Sequence, residues 1–243
     1  MTPTVDEAIA RVDRAAGWVL VDTVPLDFVC HHPRGIDRAD GTFFVSGSEI
    51  LEPTGAVRGA DGTSYAAGRG RAHLFEMSPR GRLLRHWDLG EDTVHHAGGL
   101  THDGQFVWVT VAEERPDSRS IVYRLDPASG EVEEMFRYPD HLAGIARDPE
   151  TGLLHTVTWG GRRILVLSTD GEPVGRTAVP GRRVGLHDCV AVAVRSPTGR
   201  AVTVGATDFE VAGADRLRLY ALPDDSSAPG AASLLVLEAA LRG

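Results

Sequence analysis

Cysteine is almost missing from this chain. Cys30 and Cys189 are the only two in 243 residues, too few for a disulfide framework and in keeping with a reducing compartment. Both read as free thiols. Long apolar runs are missing as well, since no stretch approaches the roughly 18 residues that a membrane-spanning helix needs. The opening MTPTVDEAIARVDRAAG is charged throughout and has no apolar stretch of secretory length, so a cytoplasmic protein is expected. Positive charge is scarce: 25 Lys and Arg stand against 34 Asp and Glu, a formal net charge of −9. That balance argues against a nucleic acid or an anionic membrane as partner and for a small-molecule ligand. It fixes no oligomeric state. A Gly-x-Ser-x-Gly elbow, a phosphate loop, a dinucleotide fingerprint and His-Glu-x-x-His are all absent, which removes the chemistries those motifs mark.

What is present is a repeat. His32-Pro-Arg-Gly35-Ile36-Asp37, His96-Ala-Gly-Gly99-Leu100 and His141-Leu-Ala-Gly144-Ile145 share the pattern His-x-x-Gly-aliphatic, followed by an Asp-Gly or Asp-Pro turn and a β-rich run. The second and third copies lie 45 residues apart, and removing the Gly-rich stretch Glu52–Arg71 gives the first copy about the same period. A fourth copy is expected near His187-Asp188-Cys189.

β-branched and aromatic runs between turn signals give the strands. They are 99–102, 106–112, 120–125 and 132–138 in the second copy, then 153–159, 163–167 and 173–179 in the third. In the fourth they are 201–206, 216–222 and 233–238. Four short antiparallel strands per period make a propeller blade. The expected fold is therefore all-β, a small β-propeller over residues 18–243. Four blades are counted, or five if the ends build a degenerate one. The run Trp18–Phe28 closes the ring against C-terminal strands. Residues 1–17 form an N-terminal extension holding a helix over 5–16, capped by Thr4 and ended at Gly17.

His-Pro-Arg-Gly-Ile-Asp followed by a turn and FFVSGSE resembles the blade signature of NHL-repeat, strictosidine-synthase-like and gluconolactonase (regucalcin) propellers. The stretches HHAGGLTHDGQFVWVTVAEERPDSRSIVYRLDP and HLAGIARDPETGLLHTVTWGGRR are similar to a bacterial family of short propellers that has no agreed activity. The resemblance implies the fold over about Val19 to Asp208. It does not carry lactonase activity over, because the calcium-binding Glu, Asn and Asp set of gluconolactonases has no clear match here.

In such propellers the residue just ahead of each innermost strand points to one end of the channel. His32, His96 and His141 take that place, and His187 or Asp188 takes it in the fourth copy. Several imidazoles near one point suit a divalent ion such as Zn, Fe, Mn, Ni or Cu; the alternative is structural histidines bonded to neighbouring blades. His31 and His95, by the two-residue period, are expected to face away.

Glu49, Glu113 and Asp208 follow their turn glycines by 8 or 9 residues. They are expected beside the histidines, as ring-orienting acceptors or general bases, or else in salt bridges. Asp188 is a further candidate. Arg71, Arg119, Arg162 with Arg163, and Arg216 open the third strands, and Arg115 lies in the polar loop after Glu113. They could bind a carboxylate or phosphate, or simply pair those carboxylates. His73 could cap the channel, Trp159 could wall it or sit in the core, and Glu52–Arg71 reads as a loop without β pattern, a lid or an unstructured tip. A thiol role for Cys189 beside His187 is a fainter option.

The functional expectation is a metal-dependent enzyme, a lyase, isomerase, cyclase or hydrolase, acting on a small polar or anionic molecule at the channel mouth. The competing expectation is a non-catalytic propeller that binds a ligand or protein partner.

Overall fold

The computed structural model describes residues 2–13, 17–57, 64–178, 206–224 and 232–242. Helix α1 (Val5–Arg11) is started by a reciprocal capping box between Thr4 and Glu7, which satisfies two amide donors left open at a helix start. It ends earlier than the expected Gly17, because Val12 turns extended and its N–H bonds back to the Ile9 carbonyl.

Next comes β1 (Val19–Pro25). Four strands then form a first sheet: β2 (His32–Ala39), β3 (Thr42–Glu52), β6 (Arg69–Met77) and β7 (Leu83–Leu89). β4 (Gly55–Val57) pairs with β5 (Ser64–Ala66) as a separate hairpin. The second sheet is β8 (His96–His102), β9 (Val107–Ala112), β10 (Ser120–Leu125) and β11 (Val132–Tyr138). The third is β12 (Leu142–Arg147), β13 (Leu154–Thr158), β14 (Arg163–Leu167) and β15 (Pro173–Ala178). The fourth is β16 (Ala206–Val211), β17 (Arg216–Leu222), β18 (Ser233–Ala240) and, paired antiparallel to β18, β1. Among the described residues the chain is thus all-β but for α1, with four four-stranded antiparallel sheets besides the small hairpin, as the repeat predicts.

Turn chemistry explains why these strands form where they do. Between β2 and β3, Asp40 and Gly41 both have positive φ, 49° and 82°, the combination that a two-residue hairpin turn matching strand twist requires.

β2 lies beside both β8 and β16, and β8 beside β12, so these four are the innermost strands. Ile36, Leu100, Ile145 and Phe209, one from each, line a common cavity of about 320 Å³, and Val5 and Ile9 of α1 cover it. Between sheets the alternate faces pack apolar. Phe44, Leu74, Val109 and Ile121 join the first sheet to the second. Val45, Phe75, Leu222 and Leu234 join the fourth to the first, and Trp108, Leu142 and Leu167 join the second to the third.

Gly35 of the repeat signature and Gly98, just ahead of the repeat glycine Gly99, mark where innermost backbones crowd one another. A Cβ on Gly35 would stand 2.6 Å from the Leu100 nitrogen, and one on Gly98 would stand 2.6 Å from the Ala143 carbonyl oxygen. Each of the first three innermost strands also shifts register here, between Pro33 and Gly35, Ala97 and Leu100, and Leu142 and Gly144. The shared signature is therefore a β-bulge, one extra residue that re-aims the side chains ahead of it.

Two expectations need correction. Glu52–Arg71 is not without β structure: β3 runs to Glu52, β6 starts at Arg69, and β4 and β5 make a hairpin between them. The fourth blade is shifted by one strand, since among the described residues β16, not a strand beginning near His187, is innermost; β1 does take the outermost place against β18, as the expected pairing of Trp18–Phe28 with C-terminal strands has it. His187, Asp188, Cys189 and most of the expected strand 201–206 lie outside the described residues.

Candidate metal centre

The structure brings some of the expected ring together and separates the rest. His96 and His141 face each other with ring centroids 5.5 Å apart, and Trp159 packs edge-on to His141 at 4.8 Å. His32 goes elsewhere: its Nδ1 lies 2.8 Å from Asp224 Oδ1, a partner on the fourth sheet's side. Its ring is not part of any group of three ligand atoms that could share an ion among the described residues, and neither are those of His96 and His141.

His141 is buried, and its Nδ1–H donates to the Glu113 backbone carbonyl at 2.8 Å. Burial outweighs that bond and pulls its pKa down to about 4, so the ring is neutral at physiological pH.

The expected carboxylates are spent differently. Glu113 accepts from Thr93 Oγ1 at 2.8 Å and Arg119 Nε at 3.1 Å, and pairs with Arg115. Burial pushes its pKa up, but these donors win and hold it below the usual carboxylate range. It is thus held as an anion in the salt bridges that the sequence left as its alternative role. Asp208 is not near the histidines at all. It sits on innermost β16 with Arg38 Nε at 3.0 Å, lining the cavity beneath α1, because the one-strand shift of the fourth blade carries it to the opposite end of the axis. Arg71 pairs with Glu49, Arg163 with Asp140 and Arg216 with Glu238, while Arg162 is exposed.

The group that does converge lies on the first sheet. Cross-strand register places Gly47 of β3 opposite His73 of β6, and His73 opposite Asp88 of β7. Period-2 alternation then puts Glu49, His73, His86 and Asp88 on one face. His31, just ahead of β2, has φ of 56°. That left-handed conformation is uncommon for a residue with a side chain, and it lays the imidazole on His73, ring centroids 4.8 Å apart and 20° from parallel. Gly47 leaves room for this crossing, since a Cβ there would stand 2.3 Å from the Cys30 carbonyl oxygen.

Two sets share His73: His31 with Glu49, and His86 with Asp88, each with ligand atoms within 4.8 Å of one another. Hydrogen bonding chooses between them. His73 Nδ1 is 3.0 Å from both Asp88 Oδ1 and His86 Nε2, so its proton is used on Nδ1 and the lone pair is left on Nε2. That Nε2 is buried without a hydrogen-bond partner and faces Glu49 Oε2 at 3.6 Å. The His73 side chain is only 6% exposed, against 71% for Asp88. Burial, with the His31 ring second, lowers the His73 pKa, and burial also lowers that of His31. Protonation is thus a poor way to satisfy the orphaned nitrogen, and a cation between Nε2, Glu49 and His31 is a good one.

Two imidazoles and a carboxylate are a common set for zinc and non-haem iron, and a carboxylate on the far nitrogen of a ligand histidine orients it. The sequence singled out Glu49 and His73 but in other roles, set His31 aside and missed His86 and Asp88. The alternating His86-Trp-Asp88 on a strand was the available signal.

A groove of about 390 Å³ lined by Thr42, Arg218 and Tyr220 lies between the fourth and first sheets, away from these histidines. No described helix is long and apolar enough to cross a membrane.

No curated protein sequence matches the chain. Among solved structures it is similar to a luciferin-regenerating enzyme, at 14% identity over 99% of this chain and 64% of that one, TM-score 0.39. It is similar to the periplasmic gluconolactonase of Pseudomonas aeruginosa, at 14% identity over 86% and 89%, TM-score 0.40. It is also similar to the calcium-binding protein regucalcin of Agrobacterium tumefaciens, at 16% over 93% and 63%, TM-score 0.38. The chain spans less than two thirds of the length of the first and third of these. A sequence profile described as a family of unknown function, DUF6454, matches residues 4–171, and the chain belongs to that family.

Proposed function

We propose that this protein is a metal-dependent enzyme acting on a small polar or anionic molecule at the histidine-bearing end of its innermost strands. The divalent ion is held by His31, Glu49 and His73, with Asp88 orienting His73. One observation carries the reading: a buried imidazole nitrogen, His73 Nε2, has no hydrogen-bond partner and faces a carboxylate at 3.6 Å. Three protein ligands leave a coordination position open, the mark of a catalytic rather than a structural site. An ion held this way lowers the pKa of a bound water and polarises a carbonyl or phosphoryl oxygen, so hydrolysis is the reaction class the set serves best.

The test is metal content after purification without an affinity tag, in the wild type and in His73→Ala, Glu49→Ala and His141→Ala. The reading expects near-stoichiometric metal that falls in the first two variants and stays in the third. Loss only in His141→Ala would return the site to the expected histidine ring, and an absence of metal even after reconstitution would overturn the proposal.

A further inference from the structure

We propose that Arg34 forms an oxyanion site at the same end of the innermost strands, taking a carboxylate or phosphate group of the substrate. The inference rests on the metal-enzyme reading for what the anion belongs to, and on separate atoms for where it binds.

Arg34 stands out against the other arginines of this end. Arg71 lies 3.3 Å from Glu49, Arg119 lies 3.1 Å from Glu113 and Arg163 lies 2.6 Å from Asp140, all with well-exposed side chains. Arg34 is 9% exposed, and its closest carboxylate oxygen is Asp224 Oδ2 at 3.9 Å. Asp224 is already engaged by His32 Nδ1, at 2.8 and 3.0 Å from its two oxygens. Arg34 Nε is buried with no hydrogen-bond partner. The other carboxylate it faces, Glu114, accepts from Thr54 Oγ1 at 3.2 Å.

A guanidinium offers five donors in a planar fork, and a buried cation whose donors are unused is costly. A bidentate oxyanion supplies what is missing, since its paired oxygens match the fork. Position agrees with this role. Arg34 is on innermost β2, two residues past His32 and beside Gly35, which lies against the β8 backbone. Its neighbour in sequence on the other side of His32 is His31, a proposed metal ligand. A substrate carrying one anionic group could therefore be held by the fork while its reacting group meets the metal.

The experiment is calorimetric titration of the full chain with inorganic phosphate and, separately, with acetate, in wild type, Arg34→Met, Arg34→Lys and the metal-site variant His73→Ala. The expected result is that one of the two anions binds wild type and His73→Ala alike, at least tenfold more weakly in Arg34→Met, with Arg34→Lys between. Preference for phosphate or for acetate then tells which oxyanion the substrate carries. Unchanged affinity in Arg34→Met, or no binding of either anion to wild type, would overturn the inference. Should Arg34→Met fail to fold, selenate soaked into wild-type crystals decides. An anomalous peak within hydrogen-bond distance of the Arg34 guanidinium supports the site, and peaks only elsewhere refute it. Metal present with Arg34-independent anion binding sinks this inference alone. Arg34-dependent binding in a protein that takes up no metal sinks the metal reading alone.

Discussion

Asp208 offers a quantitative test of where the fourth blade lies. Its side chain is 16% exposed, in the cavity lined also by Val5 and Ile9 of α1, with Asp37 nearby. Burial first, and the Asp37 charge second, push its pKa up from 3.8 to about 6, against the pull of Arg38. A carboxyl raised in the folded state favours the protonated fold. The associated stability is fully present below pH 3.8 and is lost as pH rises through about 6.

At about 1.4 kcal/mol per pKa unit, ionising Asp208 in place costs about 3 kcal/mol at pH 8. Asp208→Asn mimics the protonated form and can still accept from Arg38, which keeps Glu210 at 2.7 Å as a second partner. The variant should therefore exceed wild type by about 3 kcal/mol at pH 8 and by less than about 1 kcal/mol at pH 4. In a chain of this size the pH 8 difference corresponds to a melting point roughly 6–12 °C higher. Urea unfolding at a series of pH values, followed by tryptophan fluorescence, measures it. A variant less stable at pH 8, or an advantage independent of pH, would refute the placement of Asp208 as a buried carboxyl beside Asp37.

Three further outcomes are expected. Gly98→Ala puts a methyl group 2.2 Å from Thr110 Oγ1 and 2.6 Å from the Ala143 carbonyl. It should cost at least about 2 kcal/mol in chemical denaturation, whereas Gly55→Ala, which meets nothing within 4 Å, should be near neutral. His141 should show no titration between pH 5.5 and 8 in imidazole NMR spectra, because burial holds its pKa at about 4; a midpoint near 6.5 would contradict the buried, carbonyl-bonded ring. Cys30 is buried with its thiol pKa pushed up to about 12, so it should react with a thiol reagent only at the rate of unfolding. Prompt labelling of Cys30 in the native protein, located by mass spectrometry, would count against the packing of the segment that crosses Gly47.

The strands of the second and third sheets were legible almost residue by residue. Their turns carry Asp-Gly and Asp-Pro signals that any strand alternation must respect, and the four-strand unit recurs at a fixed period. The fourth sheet was harder: the pairing of the N-terminal run with the C-terminal strands was expected and is seen, Thr23 opposite Leu235, but the fourth copy lacks the repeat glycine, and its strands were placed one position too far out.

The candidate site was legible in residue type more than in geometry. Strict alternation set His31 apart from His32 without saying where its ring goes; the left-handed backbone of His31 lays it on His73. His32 is drawn off by Asp224, 192 residues away, a contact that spacing cannot reveal. Arg34 sits inside the repeat signature itself, and only its burial and its unused Nε separate it from the paired arginines around it.

The most direct measurement is anomalous diffraction from crystals of the metal-loaded protein, collected on either side of the absorption edge of the ion found by elemental analysis. One peak is expected, bounded by His31, Glu49 and His73 Nε2, with Asp88 on the far nitrogen of His73. A peak between His96 and His141, or on His86 and Asp88 with His73 Nδ1, would contradict it.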